Sequence, residues 1–361
     1  MLRLMFASLL TVATPVLAAQ TVNIYNWADY IGANTLKDFQ QRTGIQPRYA
    51  TYPSNETLNN QLASQGQAYD VVFPSNHFLP RQIQAGLLQP LDRAQLPNWK
   101  YLNPVLLKVA EANDPGNRYG FPYLWGGSGI GYNIDKVRQV LGDDAPVDSW
   151  DLLFKPQNIA KLSQCGVAMI DNGPEMLPIA LNYLGLPTHS THPADYQQAQ
   201  ALLMQMRPHV RYLDSVKYAR ELAEGKVCVV VGFSGDVLQA RSRAQQAGKG
   251  VRIAYSIPRE GSVIWFDMAA MPANAPNPKA AYAYLNYLLE PQVIADITNS
   301  MHYANGNEGA DDLVRPAIKA DSAVYPSAQV MSKLFTLHEL PPDIDHLRTQ
   351  LWQQFKAGAG P

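Results

Sequence analysis

The sequence predicts an α/β fold made of two units, each built on a mixed, mainly parallel sheet flanked by helices. Short apolar, β-branched runs alternate with helical segments that end at glycine, and this alternation occurs twice along the chain. A strand–helix–strand–helix–strand order implies parallel strands joined by crossover helices. The chain has 361 residues. About 340 of them follow an apolar leader, which is enough for two domains of ordinary size.

The first unit is predicted to contain two helices between extended segments. Asn34 can cap the first helix, and Gly44 can stop it because glycine readily adopts the left-handed conformation that ends a helix. Ser54 opens the second helix. The predicted elements are a strand over 22–25, a helix over 34–43, an extended segment over 45–52, a helix from 54 to about 66 and a strand over 69–73.

A glycine-rich segment separates the two units. Within residues 119–132, the stretch Gly126–Gly131 holds four glycines and no phosphate-loop lysine. The glycines do not stand between a strand and a helix as a dinucleotide-binding loop requires, so the segment indicates a hinge or a crossing between domains. The second unit has predicted strands over 167–170, 227–231, 251–257 and 263–271, and predicted helices over 174–184, 193–206 and 278–289.

The first 18 residues have the features of a signal peptide. Arg3 supplies the positive region, residues 4–13 are mostly apolar, and small residues favour cleavage after Ala18 or Ala19. A membrane anchor or an N-terminal core strand is the alternative, but the apolar run is short for a spanning helix. No cysteine stands directly after the predicted cleavage site, so a lipid anchor is not expected. No later segment is long and apolar enough to span a membrane, so we expect a soluble exported protein.

Composition limits the classes of function. Apolar residues make up 47% of the chain and charged residues 16%, which is typical of a well-cored globular protein. The net charge of −1 gives no footprint for nucleic acid. The seven histidines form no HxxxH or HExxH pair, and no GxSxG nucleophile elbow is present. We therefore expect no nucleic-acid partner, no metal and no cofactor.

The chain has two cysteines. Cys165 lies just before the predicted strand at 167–170, and Cys228 lies inside the one at 227–231. In an oxidising compartment an even pair is most simply a disulfide, and two buried free thiols are the alternative.

Carboxylates with aromatic neighbours recur along the chain. They occur in the four stretches Trp27–Tyr30, Pro174–Glu175, Phe233–Asp236 and Trp265–Asp267. Ligands of α/β proteins bind beyond the carboxyl ends of strands and between domains. Asp29, Ser75, Glu175, Asp236 and Asp267 all lie within or just after predicted strands. If the fold brings them together, they form a negative, aromatic-walled cleft suited to an elongated organic cation.

Each of these residues also has a purely structural interpretation. Asp267 interrupts an apolar run, where an unpaired carboxylate is costly to bury, so a binding role is favoured over an internal ion pair. Asp236 and Glu175 can instead stabilise the first turn of a helix, and Asp29 can organise a turn. Packing in the core is the alternative for the aromatic candidates, which are Trp27, Tyr30, Phe233, Trp265 and Tyr303.

Several segments together match the pattern of one family. They are Ile24–Ile31, Phe73–Ser75, Gly129–Asn133, Ala145–Leu152, Leu181–Gly185, Gly235–Val237 and Tyr303–Asn305. Through them the chain resembles the periplasmic polyamine-binding proteins of bacterial ABC transporters, and within these the putrescine-binding branch. The resemblance extends over essentially the whole sequence after the leader.

The resemblance implies the two-lobed periplasmic-binding-protein fold, which closes like a hinge on a ligand in the interlobe cleft. The lobes are expected at 20–126 plus 250–302 and at 127–249 plus 303–361. The resemblance also implies that Cys165 and Cys228 form the family's disulfide. It assigns amine-binding roles to Asp29, Glu175, Asp236 and Asp267, an aromatic box to Trp27, Tyr30, Phe233, Trp265 and Tyr303, and a polar contact to Ser75.

The function that the resemblance implies is capture of putrescine, spermidine or both, and delivery to an inner-membrane ABC permease by a monomeric protein. Three positions depart from the family pattern: Ala28 replaces the usual Ser or Thr, and Trp265 and Phe233 replace Phe and Trp of the putrescine branch. The preferred polyamine is therefore open. The alternatives are a binder of another cationic or sugar-like solute, a polyamine sensor and an exported carbohydrate hydrolase.

Overall fold

The computed structural model describes residues 20–64 and 68–358. The predicted signal peptide at 1–18 and the predicted end of the second helix at Gly66 lie outside these residues. The strands of the described chain are β1 (Thr21–Trp27), β2 (Gln46–Tyr52), β3 (Val71–Val72), β4 (Gly120–Asn133), β5 (Val167–Met169), β6 (Val210–Leu213), β7 (Val229–Phe233), β8 (Ile253–Ser256), β9 (Ile264–Ala270) and β10 (Ala304–Asn305).

The helices begin and end near the residues that the sequence indicates. Gly44 adopts the left-handed conformation after α1, and Ser54 Oγ accepts from the Thr57 backbone N–H at the start of α2. Within the described residues, no helix is long and apolar enough to cross a membrane. The α-helices are α1 (Thr35–Thr43), α2 (Asn55–Ala63), α3 (Leu79–Gln84), α4 (Pro104–Ala110), α5 (Ile134–Leu141), α6 (Asp151–Phe154), α7 (Pro156–Leu162), α8 (Gly173–Tyr183), α9 (Pro193–Met206), α10 (Lys217–Ala223), α11 (Ser234–Ala247), α12 (Pro278–Leu288), α13 (Pro291–Met301), α14 (Pro316–Lys319), α15 (Ala328–Met331) and α16 (Pro342–Ala357).

The strands form two parallel groups joined by antiparallel strands. β1 lies between β2 and β3, with Ile24 opposite both Tyr49 and Val71. β5 lies between β6 and β7, with Val167 opposite Val229. β9 and β4 connect the groups, so the order is β2-β1-β3-β9-β4-β7-β5-β6. We call the elements around β2-β1-β3-β9 the first lobe and those around β7-β5-β6 the second lobe. The predicted α/β fold class is confirmed.

The strand β4 runs through both lobes. Its residues 120–127 pair with β9 and its residues 128–132 pair with β7. Two of its glycines are required by close neighbours: a Cβ on Gly126 would lie 2.9 Å from the Tyr303 ring, and one on Gly129 would lie 2.5 Å from the Ser256 carbonyl oxygen. The glycine-rich segment is therefore a crossing strand rather than a loop.

The pairing of β8 and β10 differs from what the predicted lobe boundaries imply, and the boundaries stay a prediction. β8 pairs with the second-lobe half of β4, although the sequence analysis assigns 250–302 to the first lobe. β10 pairs with Trp125 and Leu124 in the first-lobe half, although 303–361 is assigned to the second lobe. The pairing thus favours moving 253–256 to the second lobe and 304–305 to the first. These strand pairings are made by backbone hydrogen bonds to β4, and an apolar run does not reveal its partner strand.

The cysteine prediction is confirmed. Cys165 and Cys228 form a disulfide, with their Cα atoms 5.5 Å apart. The bond joins the segment before β5 to the segment before β7, and these two strands are parallel neighbours. It therefore stabilises the second lobe at the amino ends of these strands, opposite the ends at Met169 and Phe233.

Candidate ligand-binding site

A cavity of about 150 Å³ lies between the two lobes, where strands from both of them end. β1 ends at Trp27, β7 ends at Phe233, and Ser75 follows β3. Nine of the ten predicted site residues line the cavity, namely Trp27, Tyr30, Ser75, Glu175, Phe233, Asp236, Trp265, Asp267 and Tyr303. Their convergence agrees with the expectation from strand ends, while their roles toward a ligand stay predictions.

Asp267 lies on β9 and is only 4% exposed. Ser75 faces it across an antiparallel bridge, and Ser75 Oγ donates to Asp267 Oδ1 at 2.6 Å. Asn55 fixes Ser75 in turn, since its Nδ2 donates to Ser75 Oγ and its Oδ1 accepts from the Ser75 backbone N–H, both at 3.0 Å. Burial raises the pKa of Asp267 to about 7, although the hydrogen bond from Ser75 acts in the opposite direction. A bound cation would favour the charged form.

Glu175 lies in the first turn of α8, where the helix dipole favours negative charge. Its Oε2 accepts from Ser128 Oγ, and its Oε1 accepts from Asn172 Nδ2 at 2.9 Å. Asn172 also caps the helix by accepting the Glu175 backbone N–H at 3.3 Å. Burial raises the pKa of Glu175 to about 7, and the charge of Asp267 acts in the same direction. Two poorly solvated acids, one from each lobe, therefore repel each other across the cavity.

Asp236 lies in the first turn of α11 and is held by two tyrosines. The Tyr218 hydroxyl donates to Oδ2 at 2.9 Å, and the Tyr303 hydroxyl donates to Oδ1 at 2.8 Å. Burial raises the pKa of Asp236 above its usual range, and the tyrosine hydrogen bonds oppose that shift. The carboxylate is thus fixed in direction before any ligand binds.

Aromatic rings form much of the remaining wall. The centroid of Trp265 lies 6.0 Å from that of Phe233 and 5.4 Å from that of Tyr303. Tyr30 meets Tyr303 edge-on at 5.2 Å. The indole N–H of Trp27 donates to a backbone carbonyl at 2.9 Å. Such ring faces attract cations and cover methylene groups.

Asp29 does not line this cavity. Its backbone has a φ of 51°, its side chain is 74% exposed, and its Oδ2 lies 4.0 Å from Arg243 Nη2. It borders a smaller adjoining cavity of about 50 Å³, which shares Asp236 and Val216 with the main one. The structure therefore brings three of the four predicted acids together and leaves Asp29 at the rim, beside a guanidinium.

Several residues that shape the site are not among the ten predicted from the sequence. Glu56 and Asp171 add two carboxylates to the lining. Ser128, Tyr218 and Asn55 hold the acids or their serine partner through the hydrogen bonds described above. Asp171 lies two residues after the end of β5, and Asn55 and Glu56 lie shortly after β2. These are the kind of strand-end positions that indicate the other acids. Ser128 carries no such signal, because it lies among glycines inside a strand.

The charged side chains that line the cavity are acidic. Among the described residues, the lining contains no Lys or Arg. Lys356 reaches Asp171 from outside it. His77 also lines the cavity, and burial lowers the pKa of His77 to about 3, with Arg348 and Arg81 adding to the shift, so the imidazole is neutral at neutral pH. The five carboxylates of the lining are Glu56, Asp171, Glu175, Asp236 and Asp267.

Binding of a metal would require a suitable grouping of the acids of the cavity. In the part of the chain that the structure describes, no group of three or more His, Cys, Asp or Glu side chains could hold a metal ion. The acids of the cavity share its lining with the aromatic side chains of Trp27, Tyr30, Phe233, Trp265 and Tyr303. This pattern fits an organic cation with apolar surface between its charges.

Comparison with known proteins identifies the family. Residues 34–326 match the bacterial extracellular solute-binding protein family. The chain belongs to that family. This solute-binding protein is 49% identical over 350 residues to a putrescine/agmatine-binding protein of Pseudomonas aeruginosa, which covers 97% of this chain and 95% of that protein. It is 46% identical over 358 residues to the putrescine-binding periplasmic protein PotF of Escherichia coli, covering 98% of this chain and 97% of PotF.

A solved structure shows the same architecture. The spermidine/putrescine ABC transporter substrate-binding protein PotD of Streptococcus pneumoniae superposes with a TM-score of 0.78 at 29% identity, over 94% of this solute-binding protein and 99% of PotD. The two-lobed fold expected from the sequence is thereby confirmed.

Proposed function

We propose that this protein captures a linear polyamine with protonated amines, putrescine or spermidine, and delivers it to an inner-membrane ABC permease. The observation that carries the proposal is the cavity lining, which holds five carboxylates and, within the described chain, no Lys or Arg. Such a cavity attracts cations and disfavours ligands with a free carboxylate. The ligands named for the two relatives, putrescine and agmatine, have this chemistry.

A diamine needs an acidic partner at each of its two ammonium groups, which are separated by a methylene chain. Asp267 comes from β9 of the first lobe, whereas Glu175 and Asp236 come from helix N-termini of the second lobe. Lobe closure would surround the ligand with acids from both sides. A charge-assisted hydrogen bond contributes about 1.5–3 kcal/mol. Several such contacts offset the ordering of a flexible ligand and allow micromolar or tighter binding.

The aromatic walls supply the rest of the affinity. The methylene chain between two ammonium groups would pack against Trp265, Phe233 and Tyr303, and the Trp265 ring already lies next to the other two rings. A cation over such a ring face gains about 0.5–2 kcal/mol when it is desolvated. The same rings exclude water from the acids and so strengthen each charge pair.

We further propose that binding occurs in the periplasm, after removal of the leader, by a monomer and without catalysis. The relatives are named as binding proteins, and PotF as periplasmic. Mass measurement of the secreted protein tests cleavage after Ala18 or Ala19, and light scattering on the purified protein tests the monomer. A turnover assay on oligosaccharides tests the hydrolase alternative, for which paired carboxylates would be the reason.

Isothermal titration calorimetry tests the ligand class. The titrants are putrescine, cadaverine, agmatine and spermidine, with 4-aminobutyrate as the matched control because it replaces one aminomethyl group of putrescine by a carboxylate. We expect micromolar or tighter binding of at least one polyamine and no heat with the control. No heat with any polyamine, or equal affinity for 4-aminobutyrate, would contradict the proposal. Native mass spectrometry would identify a ligand that copurifies.

A further inference from the structure

The C-terminal helix α16 is anchored to the second lobe beside the cavity. In its second half, Trp352 and Phe355 are buried, and α16 packs on α8 and α9. Trp352 Nε1 donates to Asp171 Oδ1 at 2.8 Å, and Lys356 pairs with the other oxygen of the same carboxylate. Since Asp171 lines the cavity, α16 is fixed to the second-lobe wall of the binding site.

The first half of α16 reaches the first lobe. Asp345 Oδ1 accepts from Arg348 Nη2 at 2.5 Å, one turn later on the same helix. Asp345 Oδ2 lies 3.4 Å from Nη2 of Arg81, which belongs to α3 in the first lobe. The contact with Arg348 is internal to α16 and survives any movement between lobes. The contact with Arg81 exists only while α3 and α16 stay close.

The first-lobe end of this contact is connected to the ligand cavity. The Arg81 guanidinium lies over the Phe78 ring, 4.8 Å from its centroid. The ring of Phe78 lies 5.0 Å from that of His77, and both residues line the cavity. A ligand in the cavity would therefore touch the residues on which Arg81 rests.

We propose that Arg81, Asp345 and Arg348 form a brace across the cleft that slows opening of the closed protein and hence release of the ligand. The proposal rests on the proposed function, because polyamine release is its readout. Opening by a hinge separates Arg81 from Asp345 and leaves Arg348 as the only partner of that carboxylate within this trio. The three side chains are 35%, 28% and 11% exposed, so salt screens the pair only in part.

Loss of the brace should appear in the dissociation rate. A partly exposed ion pair contributes at most about 1 kcal/mol, which corresponds to a change of about fivefold. We therefore expect Arg81→Gln to release putrescine about two- to fivefold faster, with the association rate unchanged. Stopped-flow tryptophan fluorescence measures both rates, because Trp27 and Trp265 line the cavity.

The matched control removes an ion pair of similar exposure within one lobe. Arg42 pairs with Glu290 at 2.7 Å, and both belong to the first lobe, so Arg42→Gln should leave the release rate unchanged. Asp345→Asn should accelerate release like Arg81→Gln, and the double variant should be no faster than either single one. Equal release by Arg81→Gln and wild type, or effects that add in the double variant, would overturn the brace.

Failure of the brace and failure of the proposed function give different results. A wild-type protein that binds no polyamine contradicts the proposed function. The brace is then judged by small-angle X-ray scattering of the ligand-free proteins, where a larger radius of gyration for Arg81→Gln than for Arg42→Gln supports it. Equal radii would overturn it.

Discussion

Replacing Asp267 by asparagine should weaken polyamine binding more than the same replacement of any exposed aspartate. In the wild type, Ser75 Oγ donates to Asp267 Oδ1 at 2.6 Å. Asparagine keeps an oxygen that can accept this hydrogen bond, so the main loss is the negative charge. A charge-assisted contact contributes about 1.5–3 kcal/mol. The expected loss in affinity is therefore about 10- to 150-fold when Asp267 is ionised.

The size of this effect should depend on pH. Burial raises the pKa of Asp267 to about 7, so the free wild-type protein is almost fully ionised there at pH 8.5 and about one-tenth ionised at pH 6. The wild type must lose a proton to bind a cation at pH 6, whereas the Asp267→Asn variant has none to lose. The ratio of the two affinities should consequently shrink by about tenfold between pH 8.5 and pH 6.

The same substitution should stabilise the ligand-free protein at alkaline pH. The ordinary pKa of this carboxyl is 3.8 and the folded value is about 7, so the folded state binds the proton more tightly. The stabilisation of the folded state by the protonated Asp267 carboxyl is fully present below pH 4 and is lost as pH rises through 7. Asp267→Asn should thus be more stable than wild type by about 1–4 kcal/mol at pH 8 and equal to it near pH 4.

Calorimetry with putrescine and thermal unfolding by circular dichroism measure these two effects. The control variant is Asp312→Asn, because the Asp312 side chain is fully exposed and lies outside the cavity. It should change neither affinity nor its dependence on pH. Wild-type affinity for putrescine in Asp267→Asn at pH 8.5 would refute the reasoning, and a ratio that is constant with pH would refute the raised pKa.

Three further predictions follow from the site. Putrescine binding at pH 6.5 should release between one and two protons, because the pKa values of Glu175 and Asp267 are both raised to about 7; calorimetry in two buffers of different ionisation enthalpy measures this, and no proton release contradicts it. Trp265→Phe should shift preference toward the shorter diamine, and an unchanged spermidine-to-putrescine affinity ratio would exclude that role. Asp29→Asn should weaken binding less than about threefold, because its side chain is 74% exposed beside Arg243; a loss above tenfold would place Asp29 in the site.

The strands and their end residues could be predicted because local pattern determines them. An apolar, β-branched run predicts the strand, and a carboxylate inside such a run is costly to bury unless it has a partner. Asp267 in β9 is the clearest case. It is only 4% exposed, and Ser75 donates the hydrogen bond that a buried carboxylate needs. Ser75 and Asp236 are predicted from their positions just after strands, and both line the cavity.

Contacts between distant segments could not be predicted from single residues. Ser128 binds Glu175 across 47 positions, and nothing near Ser128 marks it as a partner. The exposure of Asp29 depends on a backbone φ of 51°, which no residue pattern in this segment requires. The assignment of β8 to the second lobe likewise depends on hydrogen bonds to β4. In each case tertiary geometry decides, and the sequence carries no local record of it.

A crystal structure of the wild-type protein grown with putrescine would show directly where the diamine binds and what it contacts. We expect the diamine in the interlobe cavity, with its ammonium nitrogens within about 3.2 Å of carboxylate oxygens of Asp267, Glu175 or Asp236 and its methylenes against Trp265. An occupied site elsewhere, or a diamine in the cavity whose nitrogens contact none of these acids, would contradict this expectation.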